Sequence, residues 1–359
     1  MPCAWPDCKN GTPDDRLEMM GPGNPIVWER GFLDSFDGRP RFFWREPNFA
    51  SWAVAMQLRN YELGRIQRPL HVNKHVYHYT TLPAFKSIVE TQELWLSDYA
   101  YLNDSSEVNH GLALARNTFP SAMQSLAKED SLVFENILGL RPNQQPRICV
   151  ACFSFERDSL TQWKGYGAAA IGIAFGIEPS RFFYEIGHPM ETRSAPVIYN
   201  DEDKRFLLRT FAHDWASLHR LDRQSNNPAW LHAYETLPRS NFYELLSMFK
   251  DSAFRDEREF RFLYQEDPNL FDGKVLIKAP KHFRVAGSLL VPYATTKDLV
   301  GSRTRTKKEV ATKLDLVDVL IAPHPHAEVA AAGIREFLDT HGYGDVSVQT
   351  SQVPFRPSG

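Results

Sequence analysis

Two short segments, far apart in the chain, constrain what it can fold into. The first is Val76-Tyr77-His78-Tyr79-Thr80-Thr81-Leu82, a strand-like run with a histidine near its head. A helix-like stretch follows, from Ala84 to Glu90, and then a second strand, Leu94-Trp95-Leu96-Ser97. The second segment places Glu257, Glu259 and Arg261 in alternation with Arg258, Phe260 and Phe262. On a strand, that spacing puts both carboxylates and the guanidinium on one face. Such a set is costly to bury without purpose. The expectation is that His78 and the Glu257/Glu259 face lie on neighbouring strands and line one pocket.

The chain has 359 residues, enough for one large domain or two ordinary ones. Its net charge of −3 gives no global drive toward nucleic acid. No run of apolar residues is long enough to span a bilayer, so no membrane association is expected. The opening residues, Met1 to Cys8, lack a basic stretch followed by an apolar one. This predicts a cytoplasmic protein whose four cysteines are thiols. Cys149 and Cys152 form a CxxC, with Cys3 and Cys8 a looser pair. Within the apolar run Ile148 to Phe153, alternation turns Cys149 and Cys152 to opposite faces, which favours core packing over zinc. His324 and His326 lack a nearby acidic partner and read as surface. No metal site is expected.

Residues 1–70 read as an N-terminal extension, Pro- and Gly-rich at first. Over 48–65, Trp52, Ala55, Met56, Leu58 and Leu63 fall near helical spacing. The extension is expected to pack on the main domain, 71–359, which carries a helical insertion near 178–250. Strands are expected over 147–155, 169–175, 196–199, 275–278, 289–291, 317–322 and 346–349, with a helix over 327–341. Strands paired between helical stretches predict an α+β fold: a split, mixed β-sheet with flanking helices. The run Arg303 to Lys308 reads as a solvated basic face.

Four stretches, in order, resemble the bacterial family called domain of unknown function 2971. They are Tyr77-His78-Tyr79-Thr80 with Leu94 to Ser97 and Asn103-Asp104; Cys152-Phe153-Ser154 with Asp158-Ser159-Leu160, Trp163, Tyr166 and Gly172 to Phe175; Lys250, Phe254, Glu257, Glu259 and Arg261; and Ser351 to Arg356. Phe254 stands where that family more often has Trp. The opening histidine strand, followed by Thr and a helix, also looks like the start of ADP-ribosyltransferase-like domains of the His–Tyr–Glu type. That likeness implies an ADP-ribosyltransferase-like fold around NAD as substrate. His78 then matches the first-strand histidine and Glu259 or Glu257 the late glutamate. Tyr99, Tyr101 and Tyr166 compete for the middle tyrosine.

In that chemistry, breaking the nicotinamide–ribose bond develops positive charge on the ribose, which a carboxylate stabilises. Glu259, Glu257 and His78 are the catalytic candidates. His78, Tyr79, Thr80, Trp163, Tyr166 and Arg261 are the cofactor-binding candidates, with the rings stacking and Arg261 taking the pyrophosphate. The resemblance implies an NAD-using ADP-ribosyltransferase or NAD glycohydrolase, a toxin or phage-defence effector. Its macromolecular acceptor would be protein or nucleic acid. Two alternatives stand beside it: an inactive relative binding a nucleotide or a protein, and a metal-dependent nucleic-acid enzyme using Glu257 and Glu259. No GxGxxG, P-loop, GxSxG or HExxH pattern occurs.

Overall fold

The structure, a computed structural model, describes residues 75–102, 107–124, 127–141, 144–166, 171–178, 192–225, 239–266, 281–301 and 313–354. The expected N-terminal extension, the Cys3/Cys8 pair, Asn103-Asp104, the strand at 275–278 and the basic run at 303–308 lie outside these residues.

The described chain is mixed α and β. Ten strands among the described residues join one sheet: β1 (Val76–Thr81), β2 (Trp95–Asp98), β3 (Arg147–Ser154), β4 (Gly172–Ile177), β5 (Thr192–Pro196), β6 (Glu259–Glu266), β7 (His282–Ala286), β8 (Leu289–Thr295), β9 (Leu316–Ile321) and β10 (Ser347–Thr350). Strand β3 is the hub. One edge pairs along its length with β6, from Arg147↔Glu266 to Ser154↔Glu259. The other edge is shared. Its C-terminal end meets β1 at Tyr77↔Ser154, and its first half meets β2 at Ser97↔Val150. Two arms therefore leave the same edge, β1-β4-β9-β10 and β2-β8-β7. Of the strand pairs, β9–β10 is parallel and the others are antiparallel.

Seven helices with defined bounds flank this sheet: α1 (Leu82–Thr91), α2 (Glu107–Met123), α3 (Lys128–Leu138), α4 (Leu160–Tyr166), α5 (Asp201–Ser225), α6 (Thr296–Gly301) and α7 (Ala327–Thr340). The β1-to-α1 junction shows how sequence sets the elements. Extended Thr81 accepts a hydrogen bond from the Ala84 amide, and Pro83 sits in the first turn, where its missing N–H costs nothing. Gln92 ends α1 in the left-handed region, at φ 55°.

The sheet has a core on each face. On one, α2, α3, α5 and a short helical stretch at 239–246 bury Phe119, Phe134, Leu208, Phe211 and Phe242 against Ile148, Val150 and Leu263. Helix α5 is thus part of a main core layer. On the other, α1 and α7 bury Phe85, Val89, Ile334 and Leu338 against Val76, Phe153, Phe175, Phe262 and Val319. Cys149 belongs to the second core and Cys152 packs on the first, as the alternation predicts. Burial pushes the Cys149 thiol up to about 12.

Candidate functional site

The charged face of β6 meets the first helical layer, and five side chains converge there. Arg261 is fully buried. Its Nε donates to Glu259 Oε1 at 2.7 Å, its Nη2 to Glu259 Oε2 at 3.1 Å and to Glu107 Oε1 at 3.0 Å, and its Nη1 to the Ser247 carbonyl at 2.6 Å. Glu107 Oε2 lies 2.9 Å from Nη1 but is not aligned to accept from it. The guanidinium also stands over the Tyr99 ring, 5.4 Å from its centroid.

Lys250 closes the cluster on the outer side. Its Nζ donates to Glu257 Oε2 at 2.6 Å and to Glu259 Oε2 at 2.9 Å, and stands 3.5 Å from Glu107 Oε1. Exposure of the side chains rises in one direction: 0% for Arg261, 2% for Glu107, 5% for Glu259, 10% for Lys250 and 26% for Glu257. Glu257 is therefore the end of the network that water reaches. Its backbone is fixed, since Ser154 Oγ and Gln162 Nε2 both donate to its carbonyl, at 2.7 and 3.3 Å. Half-exposed Phe254, with its centroid 5.1 Å from Lys250 Nζ, sits beside it.

Electrostatics follow from this packing. Burial works to raise the Glu259 pKa, but Arg261 and Lys250 together hold it at about 2. Burial works against the Lys250 ammonium, but Glu259 and Glu257 carry its pKa above the ordinary value. Burial, then the charge of Glu259, raises both the Cys152 thiol and the Tyr199 phenol. The Tyr199 hydroxyl accepts from the Glu259 amide at 2.9 Å.

The structure corrects several expectations. Glu257 is not on the strand. It ends a 3-10 turn (Ser252–Glu257), and Arg258 at φ 44° turns the chain into β6. Glu257 and Glu259 still meet, through Lys250 rather than through strand alternation. His78 does not join them. Strand β3 lies between β1 and β6, and the register Tyr77↔Ser154↔Glu259 puts Tyr77 on the carboxylate face and His78 on the reverse. There its ring packs against Phe153 and Phe175, and its Nδ1 lies 2.9 Å from the Cys152 carbonyl. The partner is a carbonyl, so Nδ1 carries the proton and donates. Burial lowers the imidazole pKa, opposed by that hydrogen bond. Thr80 shares the face of His78 on β1.

The expected stacking and phosphate-binding residues are also occupied. Trp163 is fully buried. Its Nε1 donates to Asp158 Oδ1 at 2.7 Å, and its ring meets Tyr79 edge-on at 4.7 Å. The Tyr79 hydroxyl donates to the Glu156 carbonyl and accepts from the Ser159 amide. Asp158 also accepts from Ser351 Oγ and the Gln352 amide, which ties the C-terminal motif to the second one. These motif residues form a structural lock. Arg261, fully buried, bonds Glu259, Glu107 and the Ser247 carbonyl. Tyr166 ends α4. Of the competing tyrosines, Tyr99 packs in the network and Tyr101 is exposed.

Sequence reasoning missed Glu107, Tyr199 and Cys152 as neighbours of this cluster. Glu107 is acidic in the first turn of α2, a place where a carboxylate is expected for helix reasons alone. Nothing in its spacing marks it as the partner of a residue 154 positions away. Among the described residues, no group of three His, Cys, Asp or Glu side chains is placed to hold a metal. No helix among them is long and apolar enough to cross a membrane.

No curated protein and no solved structure matches the chain. The ADP-ribosyltransferase likeness thus stays outside what comparison supports. A family match does fall on the charged cluster, covering Lys250, Glu257, Glu259 and Arg261 but neither Glu107 nor His78. Over residues 162–262 the chain is similar to the family described as "Protein of unknown function (DUF2971)".

Proposed function

We propose that the chain acts on a ribose-containing nucleotide, with NAD as the candidate substrate, and that Glu257 is the carboxylate that meets the ribose. One observation carries this reading: Glu257 is the water-accessible end of a network that is otherwise sealed. Lys250 holds its Oε2 and is itself fixed by Glu259, so the carboxylate is oriented before any ligand arrives. A preset carboxylate stabilises the positive charge that develops as the nicotinamide–ribose bond breaks. Transfer to water gives ADP-ribose, and transfer to a protein or nucleic acid is the transferase form of the same step. Glu259 becomes a positioning residue, and His78 a support behind the sheet. The test is nicotinamide release from NAD by the purified full chain. Glu257→Gln is expected to lower it by about 10²-fold or more while the fold is kept, since Glu259 still faces Lys250. Wild-type turnover in that variant removes Glu257 from the chemistry.

A second reading is a relative without catalysis that binds a nucleotide or a protein partner. It is favoured by the saturation of Arg261 and by the reverse placement of His78. No nicotinamide release by the wild type, with protein and nucleic acid present as acceptors, selects it. The metal-dependent alternative fits less well, because Lys250 Nζ stands between Glu257 Oε2 and Glu259 Oε2, where a bridging cation would sit.

A further inference from the structure

A column of aromatic rings crosses the β2-β8-β7 arm of the sheet. Register sets Ser97 opposite Tyr293 and Tyr293 opposite His282, so the three share a face. Trp95 and Arg284, each two residues along its strand, lie on that face too. The Trp95 indole stacks on the Tyr293 ring, with centroids 4.4 Å apart and planes 21° from parallel. The His282 ring lies 5.3 Å from that of Tyr293, at 32°. Strand β2 meets β3 at Ser97 and Asp98, so no described strand pairs with that edge at Trp95, which is 44% exposed. The charged groups around the column are cationic or already paired. Arg284 donates to Ser97 Oγ at 3.0 Å and, among the described residues, pairs with no carboxylate. Glu93 is taken by Lys297 at 3.3 Å and Asp298 by His282 at 2.9 Å. The sequence carries this bias further. The whole chain has a net charge of −3, yet residues 273–308 hold nine Lys and Arg against one acid, Asp298. Strands β7 and β8 and helix α6 fall within that stretch.

We propose that this face binds single-stranded nucleic acid, with a base stacked on Trp95 and the backbone phosphates drawn to Arg284 and the basic stretch. Every base has a flat π-face, so an exposed indole takes bases without reading their edges. A guanidinium with no acid to satisfy it offers paired N–H donors to a phosphate. Rings alone would suit an apolar partner, and cations alone an acidic peptide. The two together on one sheet face match a single strand, which presents unpaired bases beside phosphates. Cross-strand ring pairs also brace a sheet, but bracing alone gives no reason for the cationic bias around them.

Fluorescence anisotropy of a labelled oligothymidylate of about 12 nucleotides, within the site size of such platforms, tests this on the full chain. The wild type is expected to bind it, and to bind an abasic strand of the same length about tenfold more weakly. Trp95→Ala is expected to weaken binding of the oligothymidylate about tenfold. Arg284→Ala is expected to lower the slope of log Kd against log salt by about 0.7, one phosphate contact on a single strand. No binding by the wild type, equal binding of the abasic strand, wild-type affinity in Trp95→Ala, or an unchanged salt slope in Arg284→Ala overturns the proposal. Displacement by polyglutamate as readily as by unlabelled oligonucleotide overturns it in favour of an acidic protein partner. The abasic comparison uses the wild type, so it stands whatever the variants do to folding. None of these results depends on whether the chain cleaves NAD.

Discussion

Glu259 is a carboxylate that cannot be changed lightly. It is buried, and each of its oxygens accepts from a buried cation. Glu259→Gln leaves the guanidinium and ammonium short of a counter-charge, and removing one partner of a buried pair costs about 3–5 kcal/mol. Chemical denaturation should show this loss, and a change under about 1 kcal/mol would contradict the buried-pair geometry. The same group sets an acid limit. Its folded pKa, about 2, lies below its ordinary 4.5. A depressed carboxylate contributes stability that is fully present above the unfolded value and lost as pH falls through the folded one. The contribution is on the order of 3 kcal/mol. Wild-type stability should therefore fall between about pH 5 and pH 2, and the Glu259→Gln variant should show a shallower fall. His78 shows what a single strand could not reveal. Period-two alternation gives its face relative to Tyr77 and Tyr79. Which of those faces is the face of Glu259 depends on the register Tyr77↔Ser154↔Glu259, a pairing across three strands that no local pattern encodes.

At the scale of elements, the strands β1, β3 and β9 and the helices α1 and α7 were legible because each carries apolar residues at one period. The 3-10 turn ahead of β6 was not, because Glu257, Glu259 and Arg261 fit strand alternation as well as they fit a turn followed by a strand. The left-handed residue Arg258 carries no glycine to mark the break. Packing between strands makes its own demands. At Gly176 on β4, an added Cβ would lie 2.6 Å from Asp318 Oδ1 and 2.9 Å from the Tyr77 ring. Both are side-chain atoms from the neighbouring strands β9 and β1; Asp318 is held by Arg157 and Tyr77 is buried, so each must turn from a packed position to make room. Gly176→Ala is expected to destabilise by about 1–3 kcal/mol, the usual cost of overpacking. A melting temperature equal to wild type would show that the strands yield more easily than this packing implies. Asp158 joins α4 to the chain after β10 by accepting from Trp163, Ser351 and Gln352. Asp158→Ala strands the buried indole N–H and should cost about 1–3 kcal/mol. Amide exchange over 347–353 should quicken in that variant, and exchange there at the wild-type rate would argue against the tie.

For the whole molecule, the α+β class and the mixed sheet could be read from the chain, because apolar periodicity carries them. The sharing of one β3 edge by two arms could not, since it depends on which distant strands find each other. That topology has a consequence for how the protein is made. Synthesis delivers β3 more than a hundred residues before β6, its partner along a whole edge. Until then the ribosome-bound chain presents an unpaired apolar strand, the sort of edge that aggregates. Glu107 waits longer still, because the arginine that neutralises it is 154 residues downstream. Helix α2 buries that carboxylate only against Lys250 and Arg261, both far downstream of it. The nascent chain should therefore stay protease-sensitive over α2 and β3 at least until Arg261 has cleared the exit tunnel, so that Arg261 sets the earliest moment at which the first core can close.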